Sequence, residues 1–334
     1  MKVAIISFAH MHANSYARCL GKIEGVELVS IADEDVKRGE KKAREFRTKY
    51  YQDYQEMLKK ESPEAVIITS ANAKHKDIAL SCANSGKHIL CEKPIATTLK
   101  DAKMMLSACL ENEVIYQQAF PLRYSPPVNI IRKQVEQGTI GKVLAIKGTN
   151  HGVMPDPQEH PFFTDKSLSG GGAVMDHTVH VVDLMRWITG SEVREVYAEV
   201  DQLLHDNIDI DDCGILSLEF ENEVFATLDP SWSRPKSFPT WGDLKLDFIG
   251  DKGVIFMDAF AQNISLYSDL DGRVFWNFWG DDLDLLMVRD FIDTVANKAN
   301  PKVTGFDGLK ALEVALAAYK SAEKGESVKI KNQR

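Results

Sequence analysis

Over its first third the chain alternates short apolar runs with amphipathic stretches of helical period, and few architectures accept that rhythm. The runs are VAIIS (3–7), ELVSIA (27–32), AVIITS (65–70), HILC (88–91) and EVIYQQAF (113–120). Helical patterns lie between them, near 13–22, 35–47, 75–85 and 99–112. A strand that is apolar along its whole length needs cover on both faces, and a helix of ten or so residues between two strands both crosses over and supplies that cover. Residues 1–122 are therefore expected to form an α/β domain around a doubly wound parallel sheet.

Beyond Pro121 the rhythm changes. One helical pattern (127–137), a strand pattern (142–150) and a second helix (173–189) are followed by strand patterns at 192–203, 213–220, 223–229, 243–249, 253–257 and 273–278. Short turns such as EN (221–222) and GDKG (250–253) connect some of these, which suits an antiparallel meander. Residues 123–334 are thus expected to form an α+β domain with a large, mainly antiparallel open sheet. Helical patterns at 281–297 and 307–324 and a short strand, SVKI (327–330), follow, and the last helix can pack back on the first domain. A chain of 334 residues, 44% of them hydrophobic, suffices for two cores.

A net charge of −9 disfavours nucleic acid as a partner, because phosphate backbones are bound by clustered positive charge. There is no apolar run of membrane-spanning length, and MKVAIISF lacks the charged lead and cleavage site of a secretory leader, so no membrane partner and a cytoplasmic location are expected. Five cysteines (Cys19, Cys82, Cys91, Cys109, Cys213) show no ligand-like spacing and argue against structural disulfides or a zinc ribbon.

In a doubly wound sheet, ligands sit beyond the carboxyl ends of the strands. After the first run comes Ser7-Phe8-Ala9-His10-Met11-His12, where a dinucleotide fold would show G-x-G-x-x-G to bring backbone amides to a pyrophosphate. Ser7, Ala9 and His12 occupy the three glycine positions; the first two are small, the third is not. Asp33 ends the second run, where a carboxylate accepts hydrogen bonds from ribose hydroxyls and repels a 2′-phosphate. That favours NAD, while Lys37 and Arg38 leave NADP open; on its own Asp33 reads equally well as a turn or capping residue.

Cys91-Glu92-Lys93-Pro94 follows a later strand, which puts Lys93 near the mouth where a nicotinamide would lie. An ammonium there stabilises the charge that builds on a carbinol oxygen as hydride leaves. Further on, Ser169-Gly170-Gly171-Gly172 breaks the chain before a helix carrying Asp176 and His180 at i, i+4, on one face, with Asp183 beyond them. A histidine near neutrality can take the alcohol proton and a carboxylate can orient it. Taken singly, such a pair reads more readily as helix surface or packing.

Together these pieces carry a resemblance. The opening strand and helix, VIITSANAKH (66–75), GKHILCEKPIATTL (86–99), Arg123-Tyr124-Ser125-Pro126, GTIGKV (138–143), SGGGAVMDHTVHVVDL (169–184) and the closing GFDGLKALEVALAAYKSAEKGESV resemble, end to end, the glucose-fructose oxidoreductase/inositol dehydrogenase (Gfo/Idh/MocA) family. The resemblance implies an N-terminal Rossmann domain, a nicotinamide cofactor and Lys93, Asp176 and His180 as the catalytic group. It further implies that Ser70, Ala71, Asn72 and His75 contact the cofactor ribose and nicotinamide, beside Glu92 and Lys93. Two departures stand out: the altered glycine loop, and Ala71 where the family usually has proline.

A polyhydroxylated substrate fits the polar residues available: Arg123, Tyr124 and His177 with the catalytic group, then His151, Asp156, His160 and Trp232. His151, His160, His177, His180 and His205 cluster in sequence with several aspartates, but form no compact ligand motif, so no metal site is expected. The reading is an NAD(P)-dependent sugar or polyol dehydrogenase. Two alternatives remain at this stage: redox-assisted glycoside cleavage with bound NAD, and a non-catalytic dinucleotide or sugar sensor, which fold alone does not exclude. Apolar residues between Trp241 and Trp279 suggest a homodimer or homotetramer through the second sheet.

Overall fold

The computed structural model describes residues 1–270 and 272–331. Strands β1 (Lys2–Ile6), β2 (Glu27–Ala32), β3 (Lys49–Tyr51), β4 (Ala65–Ile68), β5 (His88–Cys91) and β6 (Tyr116–Gln118) form one sheet in the order β3-β2-β1-β4-β5-β6. Every neighbouring pair is parallel. Helices α1 (Ala13–Leu20), α2 (Val36–Glu45), α3 (Tyr54–Glu61), α4 (His75–Asn84) and α5 (Leu99–Glu111) make the crossovers. All four residues of β4 are buried, as its unbroken apolar run requires. The edge strand β3 and helix α3 lie outside the sequence expectation; Lys49-Tyr50-Tyr51 is too short and too polar to register as a strand. Chain order reverses between β1 and β4, and the crevice beyond their carboxyl ends is where such a fold binds ligand.

After α6 (Pro126–Glu136) comes a mixed sheet of β7 (Val143–Val153), β8 (Val193–Asp201), β9 (Cys213–Phe220), β10 (Phe225–Arg234), β11 (Gly242–Gly250), β12 (Val254–Asp258) and β15 (Val328–Lys329), in the order β12-β11-β7-β10-β9-β8-β15. The meander is interrupted at one point, where β10 runs parallel to β7. The chain leaves β7 through α7 (Lys166–Ser169) and α8 (Ala173–Thr189), restarts at β8 and returns through β9, so β10 meets β7 head to head rather than by a hairpin. The expected strand at 273–278 forms outside this sheet: β13 (Asn263–Ser268) and β14 (Arg273–Phe278) make a separate hairpin.

Burial alternates along β7, β8 and β9, the mark of a sheet covered on one face. Ile146, Leu218, Leu228 and Phe248 pack with Val181 and Met185 of α8 in that core. After α9 (Leu283–Asn297), α10 (Gly305–Lys324) divides itself between the two cores, with Leu312 and Ala315 in the first and Val314 and Ala318 in the second. No described helix is long and apolar enough to cross a membrane.

A buried ion triad ties these helices together. Arg123 Nε and Nη2 donate to the two carboxylate oxygens of Asp183 on α8 at 2.7 and 2.6 Å, and Nη2 also reaches Asp307 of α10 at 2.8 Å. Asp307 in turn closes a capping box with Thr304 at the start of α10. Removing the guanidinium would leave Asp183 without its hydrogen-bonded counter-charge and Asp307 with Arg186, 3.8 Å away, as its nearest guanidinium. Arg123→Ala is expected to lose about 3–5 kcal/mol of stability, read as a shifted midpoint in urea unfolding with the slope unchanged.

Candidate active site

Helix α8 begins where its sequence leaves no room for a side chain. A Cβ on Gly172 would lie 1.8 Å from the carbonyl oxygen of Asp211. The Asp211 carboxylate accepts from the Gly172 and Val174 amides at 2.8 and 2.9 Å and from the Tyr319 hydroxyl at 2.9 Å. An anion thus satisfies the free amides at the positive end of the helix and fixes its rotation. With that rotation, Asp176, His177 and His180 line a cavity of about 680 Å³ that Lys93 also faces.

Lys93 lies just past β5, is joined to Pro94 by a cis peptide and pairs through Nζ with Asp176 Oδ1. Trp232 Nε1 donates to Asp176 Oδ2 at 3.2 Å, and His177 Nε2 lies 3.3 Å from the same oxygen. His177 Nδ1 donates to the Asn150 carbonyl at 2.8 Å, so its ring is held from both ends. Burial alone would raise the Asp176 pKa, but the Lys93 and His177 charges outweigh it and hold the carboxyl well below its ordinary range. His180 moves the other way from a normal histidine: burial, then the Lys93 charge, push its pKa well below 6.5 against the opposing pull of Asp176. Its ring stands edge-on to Phe120 at 5.9 Å, and its Nδ1 is buried without a hydrogen-bond partner among the described residues. The arrangement offers a neutral proton acceptor and a held ammonium in one cleft.

The turn after β1 supplies the other end of the site. Ser7 adopts φ 73°, the left-handed conformation for which glycine is the usual choice, and its amide donates to Ala32 at 2.6 Å. Asp33 is buried at the end of β2, where it accepts from the Phe8 amide at 2.7 Å and from Arg38 Nε and Nη2 at 2.8 and 2.7 Å. Phe8 itself turns its ring into the core beside Phe46. The segment before α8 closes over this turn: His160 Nδ1 donates to the Ala9 carbonyl at 2.9 Å, and Phe162 and Phe163 pack on Ala71, Ala9 and Met11. Asn72 Nδ2 donates to the Ser169 carbonyl at 2.8 Å.

Several expected residues stand elsewhere. His75 is fully buried, with its two nitrogens against the carbonyls of Pro94 at 3.0 Å and Ser70 at 3.2 Å, so it joins those two loops. Ser70 is buried with it. Arg123 and Tyr124, expected at the substrate, are buried outside the cavity lining; Tyr124 donates to Asp290 at 2.8 Å and accepts from Gln117 at 3.1 Å. The sequence motif that flagged them marks a structural pin. Of the histidines of 151–205, His160, His177 and His180 line the cavity, while His151 pairs with Asp229 at 2.9 Å and His205 with Asp212 at 3.2 Å.

Two features escaped sequence reasoning. Trp241, Phe260, Phe278 and Trp279 form an aromatic wall of the cavity, although their composition suggested an assembly surface. Phe248, from the same stretch, is wholly buried in the second core. The second feature is a cluster below Lys93 in which His10, His12 and Glu92 bring ligand-capable atoms within 4.8 Å of one another. Its sequence signal was the His-x-His spacing directly after the first strand.

Comparison with known proteins agrees with this architecture. The model described as an oxidoreductase family, NAD-binding Rossmann fold, matches residues 1–120, and that of the Gfo/Idh/MocA C-terminal domain matches residues 128–256. Myo-inositol 2-dehydrogenase of Thermotoga maritima is 29% identical over 342 aligned residues, 99% of this chain and 98% of that protein. Scyllo-inositol 2-dehydrogenase (NAD(+)) of Bacillus subtilis is 26% identical over 99% of this chain and 96% of its own. The crystal structure of myo-inositol 2-dehydrogenase from Lactobacillus plantarum shares the fold, with a TM-score of 0.86 at 24% identity over 99% of each chain.

Because His180 is harder to protonate in the folded protein than in the unfolded chain, it contributes stability that is present above about pH 6.5 and lost as the pH falls below that value. An NMR titration should place its ring pKa below 6.5. In Lys93→Met the value should rise part of the way back, since the largest charge that lowers it is gone while burial, His12 and His177 remain.

Proposed function

The chain belongs to the Gfo/Idh/MocA oxidoreductase family, with an NAD-binding Rossmann fold at its N-terminal end, and from that premise we propose that it oxidises a secondary hydroxyl of a polyol or sugar. The observation that carries the reading is the Lys93–Asp176 ion pair facing the same cavity as the uncharged His180. The similar inositol dehydrogenases support a cyclic or linear polyhydroxylated substrate.

The residues present fit a dinucleotide. Ser7 reproduces the backbone of the first glycine of the usual loop, Ala9 keeps the second position small, and Asp33 stands at the end of β2. Met11 and His12 line the cavity between there and Lys93, with Glu92 buried beneath it. Bound there, NAD supplies the hydride acceptor. The protein's own groups handle the oxygen: His180 takes the hydroxyl proton while the Lys93 ammonium stabilises the negative charge that grows on that oxygen as the C–H bond breaks. Asp176, held by Trp232 and His177, keeps the ammonium in place. The aromatic wall excludes water and offers flat apolar faces to the C–H edges of a sugar ring.

Charge at the adenosine end supports NAD as the preferred form. The Asp33 carboxylate would repel a 2′-phosphate and already neutralises Arg38, the nearest guanidinium. Exposed Leu144, Ile215, Phe225 and Phe256 on the second sheet support assembly of like chains into a dimer or tetramer in the cytoplasm.

Against a panel of inositols, sugars and linear polyols, Lys93→Ala should lower kcat by about 10²–10³-fold with NAD affinity nearly unchanged; a variant as active as the parent on every substrate would end the proposal. Asp33→Ser should weaken NAD binding about tenfold, roughly 1.4 kcal/mol. It should also strengthen NADP binding, because it frees Arg38 for the 2′-phosphate. Fluorescence titration with each dinucleotide reads both changes.

A further inference from the structure

Beside Lys93, under the cofactor's path, lies a group that takes no proton or hydride step in the proposed reaction. We propose that His10, His12 and Glu92 bind one divalent transition-metal ion at the floor of the cavity. His10 and His12 sit on the turn after β1, and Glu92 immediately follows β5, so the parallel pairing of β1, β4 and β5 brings them together. His12 Nδ1 lies 2.9 Å from Glu92 Oε1, and His10 Nε2 lies 3.8 Å from Glu92 Oε2. The second distance is too long for a hydrogen bond.

His10 is 1% exposed, and its Nε2 has no hydrogen-bond partner among the described residues. A buried ring nitrogen aimed at a fully buried carboxylate without reaching it leaves a polar atom unsatisfied, and a shared ion between the two satisfies it. His12 is partly exposed and lines the cavity with His10 and Lys93, which provides an entry path. The groups around the site hold the ligands in place: the Tyr16 hydroxyl donates to Glu92 Oε1 and the Lys93 amide donates to Oε2 at 2.9 Å.

Two imidazoles and a carboxylate, without thiolate, suit zinc and the borderline divalent ions near it, and three protein ligands leave a position open toward the cavity for an oxygen donor. Binding exchanges protons for metal. The proton shared by His12 and Glu92 leaves. His10 coordinates through Nε2 with its remaining proton on Nδ1, giving up the 3.2 Å contact from the His12 amide. Affinity therefore falls as the pH is lowered.

The full-length protein, stripped with chelator and dialysed against Zn²⁺, is analysed for retained metal by inductively coupled plasma mass spectrometry. Cobalt loading is followed in parallel by visible absorption. The site predicts about one equivalent of zinc and a ligand-field spectrum of four- or five-coordinate cobalt. Both should be lost in His12→Gln and Glu92→Gln and kept in His151→Gln. His12→Gln alters a partly exposed side chain, and its circular dichroism should match the parent, so it carries the test even if the buried Glu92→Gln fails to fold. Wild-type protein that retains no zinc, or a folded His12→Gln that retains as much with the same cobalt spectrum, overturns the proposal.

Discussion

The ion pair between Lys93 and Asp176 joins the end of a parallel strand to the first turn of a helix that belongs to the other sheet. Each partner is nearly buried, where an isolated ion is strongly penalised, and the pairing offsets part of that cost. The pairing holds the cavity walls in register. It also holds the Lys93 ammonium in the cavity, where that charge adds to burial, against the pull of Asp176, in keeping His180 uncharged. The proposed catalytic arrangement and the structural linkage are here one interaction.

That interaction depends in turn on where α8 starts. The glycine before the helix admits the Asp211 backbone, and the Asp211 carboxylate then caps the helix and receives the Tyr319 hydroxyl from α10. A side chain at position 172 would push the helix away, rotating Asp176, His177 and His180 together. Farther along, Asp183 meets Arg123, and Arg123 meets the capping residue of α10. One helix therefore carries cavity-lining groups near its start and a structural anchor near its middle.

The cavity combines two environments. Its polar floor gathers Lys93, Asp176 and the histidines, while its outer wall is made of tryptophan and phenylalanine from β14 and the segments beside it. Excluding water from such a cleft strengthens each charge interaction within it, and the same wall presents apolar faces to a ring substrate. Both effects suit the proposed reaction, in which charge develops on one oxygen.

Local pattern made much of this legible. Unbroken apolar runs with intervening helices specify a parallel sheet because both faces must be covered, and the i, i+4 spacing of Asp176 and His180 places them on one helix face whatever surrounds it. The positions of Lys93 and Asp33 at strand ends follow from the same logic. Tertiary structure alone decided what depends on distant chain segments meeting: that Arg123 and Tyr124 turn into a buried network, that the aromatic residues face the cavity, that β10 lies parallel to β7, and that His10 and His12 meet Glu92. A sequence pattern reports which face of an element is apolar, but not which other element that face will meet, because the partner is set by packing across tens or hundreds of residues.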